Sequence, residues 1–229
     1  MKYKLKEDAL EIPAELIEKI TVLDCENCTG LPVLPNLKEL SCEDCIGLIE
    51  LPVLPNLKWL NCEGCIGLTG LPVLPNLEWL YCRNCTGLTG LPILPNLGWL
   101  YCDDCTGLIE LPVLPNLIEL SCEDCIGLIE LPALPNLKWL NCEGCIGLTE
   151  LPILLKLKEL YCEGCLKLDI IENYDNTNWT VLNFNNMLKI GWEIHSIKEW
   201  EEFTDERIAS MDPKALDFWK KNKTKLLYK

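Results

Sequence analysis

Residues 51–70 read Leu51-Pro-Val-Leu-Pro-Asn-Leu57-Lys-Trp-Leu60-Asn-Cys62-Glu-Gly-Cys65-Ile-Gly-Leu68-Thr-Gly70, and nearly the same twenty residues recur along the chain. The Cys-x-x-Cys pair inside the unit occurs eight times, starting at Cys25, Cys42, Cys62, Cys82, Cys102, Cys122, Cys142 and Cys162, and it holds all sixteen cysteines. Six of the seven steps between pairs are twenty residues, and the first is seventeen. A fixed period of this size marks a solenoid, in which each unit is one coil and stacked coils bury a shared core.

Full units run over 31–168, and the last one decays: Leu155 and Lys156 replace Pro-Asn, and Lys167 replaces Gly. A half-unit at 20–28 precedes them and joins three residues early, which accounts for the short step. A longer period of eighty is superimposed, since 31–50 and 111–130 differ only at Lys38 and Ile118. The organisation expected is an N-terminal cap over 1–19, a solenoid of eight repeats over 20–168, and a helical C-terminal cap with a basic tail over 169–229. Pro13 can open a short helix over 14–19. Ile194, Ile197, Trp200, Phe203 and Ile208 fall near helical spacing and predict helix over 193–211. Asp212-Pro213 predicts the start of a last helix to about 225. The tail, with five lysines in 220–229, reads as a solvated end.

The net charge of −15 over 229 residues opposes binding to nucleic acid phosphates and anionic membranes, and it favours a basic partner. The N-terminal residues carry charge but no apolar export core, and no apolar stretch approaches the roughly 18 residues of a membrane span. A reducing, cytoplasmic setting is therefore expected, with the cysteines as thiols.

Aligned on its strand, the unit reads Leu57-x-x-Leu60-x-Cys62-x-x-Cys65-x-Gly-Leu68. It resembles the leucine-rich-repeat signature L-x-x-L-x-L-x-x-N/C-x-L, with Cys62 at the third strand Leu and Cys65 at the Asn/Cys ladder position. The Leu-Pro-x-Leu-Pro segment resembles the short repeats of secreted bacterial leucine-rich effectors. The Cys-x-x-Cys-x-Gly-Leu form looks most like leucine-rich proteins of amoeba-infecting giant viruses, which would make the setting a host cytoplasm. The resemblance implies an α/β leucine-rich-repeat solenoid: a curved parallel β-sheet on the concave face, an extended polyproline-like convex side, and a helical C-terminal cap. The ligase activity of some bacterial effectors needs a large catalytic domain, which this chain has no room for.

Two Cys-x-x-Cys pairs can build a tetrahedral zinc site. In the repeat frame, however, Leu60 and Cys62 share the inward face of a strand and Cys65 turns in again, so core packing of both thiols is expected, with no metal and no cofactor. Strand spacing would also permit disulfides between neighbouring cysteine columns. The repeated glycines Gly47 to Gly147 mark a turn with positive φ or tight space. Asn36 and its copies through Asn136 are expected to bond the turn backbone.

The outward positions form three columns. The first carries Trp59, Trp79, Trp99 and Trp139 among Val22, Glu39, Glu119 and Glu159, and the second carries Tyr81, Tyr101 and Tyr161 among Asp24, Ser and Asn. The third is acidic, with Glu63, Asp103 and Glu143 among its members, and is broken only by Arg83. Clustered outward aromatics mark interfaces, and stacked like charges repel unless a basic partner answers them. Trp59, Trp79, Trp99, Trp139, Tyr81, Tyr101, Tyr161, Glu63, Arg83 and Asp103 are therefore the expected partner-binding residues. Aromatic residues also stack across strands for purely structural reasons.

No Gly-rich phosphate loop or nucleophile elbow occurs. The carboxylates repeat too uniformly for a split acid/base pair, and the single histidine, His195, lies in the C-terminal segment. The sequence reads as non-catalytic. It is either a module that binds an unidentified protein through its concave face or a structural, self-associating solenoid.

Overall fold

A computed structural model describes residues 1–5, 12–168, 170–171, 174 and 179–227. Two compact units divide at Leu168: Met1–Leu168 and Asp169–Lys229.

The first unit is a parallel β-sheet solenoid. Nine strands pair in sequence order: β1 Lys2–Leu5, β2 Val22–Cys25, β3 Glu39–Ser41, β4 Trp59–Asn61, β5 Trp79–Tyr81, β6 Trp99–Tyr101, β7 Glu119–Ser121, β8 Trp139–Asn141 and β9 Glu159–Tyr161. The repeats supply eight of them. β1 is an addition at the N-terminal edge that sequence reasoning had folded into the cap, and it runs parallel to β2 with Lys2 opposite Val22. A short helix, α1 Ala14–Ile17, follows Pro13. Between the repeat strands the chain is extended and turning, with no helix among the described residues 20–168.

The packing follows from side-chain direction. In each three-residue strand the central leucine points inward and its neighbours point out. Leu54, Leu57, Leu60, Cys62, Cys65 and Leu68 are at most 1 % exposed, and this six-residue inward set recurs down the array. Three tight turns bring the set together in the coil 51–70: Leu57 N donates to Leu54 O at 3.2 Å, Cys65 N to Cys62 O at 3.2 Å, and Leu68 N to Cys65 O at 3.1 Å. The backbone ladder runs past the strand, with Cys62 N on Tyr81 O at 2.8 Å and Gly64 N on Arg83 O at 2.9 Å.

The turn between the paired cysteines holds its third residue left-handed in every coil: Asn27, Asp44, Gly64, Asn84, Asp104, Asp124, Gly144 and Gly164 all have positive φ, from 53° to 75°. Gly, Asn and Asp are the residues that tolerate this conformation, as a type II turn requires. The conserved-looking Gly of the next turn serves a different end. A Cβ on Gly67 would lie 2.6 Å from the Ile46 carbonyl oxygen, so tight space, rather than positive φ, requires glycine there.

The second unit opens with an antiparallel sheet, β10 Ile170–Ile171, β11 Val181–Phe184, β12 Met187–Ile190 and β13 Glu193–Ser196. Asn185 and Asn186, both with positive φ, make the two-residue β11–β12 turn. Three helices follow: α2 Ile197–Glu202, α3 Asp205–Met211 and α4 Ala215–Leu227. The segment read as helix from 193 therefore starts as a strand. Gly191, with φ 58°, reverses the chain into β13, and helix begins only after Ser196, whose hydroxyl and the Glu199 carboxylate form a capping box. Leu188, Ile190, Trp200, Ile208, Phe218 and Trp219 form this unit's core, and the Trp200 indole N–H donates to Leu188 O at 2.8 Å.

Candidate functional site

The strand register sets the outward columns. Trp59 lies opposite Trp79, Trp79 opposite Trp99, and Tyr81 opposite Tyr101. The Trp79 and Trp99 rings stack 4.7 Å apart at 9°, and Tyr81 and Tyr101 stack 4.9 Å apart at 5°. Trp59 leans on Tyr81 at 5.9 Å, and the five half-buried rings occupy three adjacent strands. Parallel strand spacing near 4.8 Å is what brings like rings to stacking distance. Trp139 is not part of this cluster. Glu119 stands between it and Trp99, and it contacts Tyr161 instead, at 5.8 Å. Two aromatic patches result.

The third column lies just past the strand ends. Arg83 Nε donates to Asp103 Oδ2 at 2.6 Å, and its guanidinium lies 5.3 Å from the Tyr101 ring centroid. Asp103 also accepts from the Ser121 hydroxyl, and from the Glu123 amide at 3.0 Å. Tyr101 donates to Glu119 at 2.7 Å; partial burial and this carboxylate raise its phenol well above the usual range. Glu143 is raised first by partial burial, then by the Glu123 and Glu163 carboxylates of its own column. Glu63, half-buried, carries on the same column without such a hub of bonds.

An open groove at the N-terminal edge, over β1–β4, continues this chemistry. Asp24, Glu26, Glu39, Glu43 and Trp59 line it, with Lys2 at its rim. Ring faces beside carboxylates suit ammonium and guanidinium groups, which bind both. The position of Arg83 over Tyr101 shows one such contact made within the chain.

A further surface escaped sequence reasoning. Val53, Val73, Ile93 and Val113, the x of Leu-Pro-x-Leu-Pro, are 64–72 % exposed on successive coils. Their signal was visible, since the position is apolar in every copy. The next leucine, which points inward as Leu74 and Leu94 do, hid which residue faces out.

All sixteen cysteines are buried free thiols. From Cys65 onward the second thiol of each pair reaches back to the first cysteine of the preceding coil: Cys65 Sγ to Cys42 O at 2.9 Å, Cys85 to Cys62 O at 3.0 Å, and Cys105 to Cys82 O at 2.9 Å. Hydrogen bonding to Cys85 and burial hold the Cys62 thiol far above its usual range, and Cys82, Cys102, Cys122 and Cys142 are raised in the same way by the next coil's thiol. The expected asparagine contacts also run between coils: Asn56 donates to Pro35 O and Asn76 to Pro55 O, both at 2.8 Å, rather than to their own turn.

In the second unit His195 lies 2.8 Å from Glu193 and packs edge-on against Trp200 and Phe203. Arg207 approaches the same Glu193 at 3.4 Å. Among the described residues, no helix is long and apolar enough to cross a membrane. No protein-family model matches this chain, and no curated protein matches it.

Proposed function

We propose that this chain is a leucine-rich-repeat recognition protein, without catalytic activity, whose outward sheet face grips a basic, partly apolar segment of a protein partner. The family reading rests on the twenty-residue coil, with its short parallel strand and inward leucines. The cysteine-bearing form of the unit resembles repeats of giant-virus proteins, and a reducing cytoplasm, the host's for a viral protein, suits sixteen buried thiols. The observation that carries the binding reading is the pair of stacks, Trp79 on Trp99 and Tyr81 on Tyr101, bordered by the acidic column. Rigid, amphipathic rings beside carboxylates are the composition of an interface centre for a cationic ligand. The net charge of −15 argues against nucleic acid and anionic membranes as the ligand.

The test is a screen of lysine- and arginine-rich peptides by tryptophan emission, on the parent chain and on Trp79→Ser/Trp99→Ser. Binding that weakens with salt and disappears in the double variant, while the fold persists, supports the reading. Loss of the stack alone costs about 1 kcal/mol. A collapse of the melting point would instead make the rings cross-strand scaffolding.

Self-association is the second reading, and the exposed column Val53, Val73, Ile93 and Val113 favours it. Light scattering over a concentration series separates the two. A monomer throughout argues against self-association, and a dimer that Val73→Asp/Ile93→Asp disperses supports it.

A further inference from the structure

The seventeen-residue first step leaves the N-terminal coil stacked unlike the others. In later coils the turn glycine meets a backbone carbonyl of the coil before, as Gly67 meets Ile46 O; Gly47 meets the Thr29 side chain instead. The thiols diverge at the same place. Cys45 lies 3.9 Å from Cys25 O, against 2.9 Å for the equivalent contact of Cys65 with Cys42 O. Its sulfur instead accepts the backbone N–H of Cys28 at 3.1 Å. The sulfurs of Cys25, Cys28 and Cys45 consequently gather within 4.8 Å of one another, the only such group of potential metal ligands among the described residues.

Three features of this cluster are those of a metal centre. Three soft thiolates are a donor set for Zn²⁺ or Cu⁺ and disfavour hard cations. A zinc–sulfur bond of about 2.3 Å places tetrahedral sulfurs about 3.8 Å apart, so a contraction of about 1 Å closes the set. The Cys28 N–H on the Cys45 sulfur orients and stabilises a thiolate ligand, as outer-shell donors do. Cys25 and Cys45 are fully buried, and Cys28, at 7 % exposed, is the member nearest solvent.

We propose that Cys25, Cys28 and Cys45 form a three-thiolate site for a soft d¹⁰ cation, Zn²⁺ with solvent as fourth ligand or Cu⁺ held by the thiolates alone. The thiol protons pass to solvent as the ion binds. The remaining thirteen cysteines stay in the core. The site ties the first repeat coil to the second beyond the β2–β3 pairing.

The experiment uses the reduced full chain, prepared free of metal and titrated separately with Zn²⁺ and Cu⁺ against chromophoric chelators, with native mass spectrometry for stoichiometry. One tightly held equivalent of either ion is expected, and which ion wins identifies the occupant. Cys28→Ser should weaken binding at least tenfold, whereas Cys105→Ser, an equally thiol-bearing position deep in the array, should leave it unchanged. Should Cys28→Ser fail to fold, alkylation of the parent chain decides. The bound ion must slow modification at Cys25, Cys28 and Cys45 and at no other cysteine. Absence of a stoichiometric ion overturns the proposal, as does uptake indifferent to Cys28→Ser or protection at other cysteines.

Discussion

Arg83 Nε donates to Asp103 Oδ2 at 2.6 Å, so the single cation of the acidic column is held by the carboxylate one coil further on. Asp103 is the hub of the contact, since it also takes the Ser121 hydroxyl and the Glu123 amide, and its side chain is only 13 % exposed. Asp103→Ala strips three partners at once and should destabilise the chain by about 2 kcal/mol, the worth of a part-buried charged hydrogen-bond acceptor. Glu63→Ala, on the same column without that hub, should stay within about 0.5 kcal/mol of the parent. Equal urea midpoints for the two variants would show that Asp103 organises nothing.

Gly164 is a clean probe of the left-handed ladder. Its φ is +75°, and an added Cβ would meet only Gly144 backbone atoms at 3.4 Å, an ordinary contact. The cost of Gly164→Ala is thus conformational, about 1–2 kcal/mol. Gly164→Asn should recover part of it, because asparagine occupies the equivalent place at Asn27 and Asn84. Thermal melts of the two variants check the order.

Alkaline pH should unfold the array. Cys62, Cys82, Cys102, Cys122 and Cys142 are held protonated in the fold, well above the ordinary thiol value of 9.0. Their folded values exceed their unfolded ones. The stability they contribute is complete below about pH 9 and declines above it, as unfolded thiols ionise and folded ones do not. Cys105 and Cys165, lowered by their bonds to Cys82 and Cys142, offset part of this loss. Urea midpoints should hold steady from pH 7 to 8 and fall steeply by pH 10. A flat profile would mean that the folded thiols ionise freely.

Asn96→Ala removes the 2.8 Å bond from the Asn96 amide to Pro75 O on the coil behind. The expected loss is about 1 kcal/mol, with an unchanged denaturant slope because the same surface unfolds. Lys156, which replaces asparagine in the last full coil, donates to Asn136 Oδ1 at 2.6 Å and leaves the coil behind it without the carbonyl contact.

The solenoid was legible because one strong signal, the inward Leu and Cys set, repeats at fixed spacing in every coil. The left-handed turn residue was equally legible in principle, since only Asn, Asp and Gly occupy it from Asn27 to Gly164. β1 was not, because Lys2-Tyr-Lys-Leu5 is too short an alternation to distinguish from a charged terminus. In the second unit, Ile194 and Ile197 stand three apart as helix residues do, yet Ser196 divides them into a strand and a helix. Of the candidate site, the columns could be read from the period alone. The ring angles and the gathering of Cys25, Cys28 and Cys45 depend on how adjacent coils sit, which residue identity does not encode.

The asparagine amides and the second thiol of each pair point from a later coil to the one before. The asparagine, thiol and backbone contacts of an interior coil are therefore satisfied by any neighbour built to the same plan. Excising 51–130 would join Glu50 to Leu131 and set Asn136 against Pro35 O, where Asn56 donates now at 2.8 Å. Recombination in steps of whole coils can thus lengthen or shorten the protein without any new contact having to be invented. The reach of its face is a heritable quantity that can vary independently of its fold.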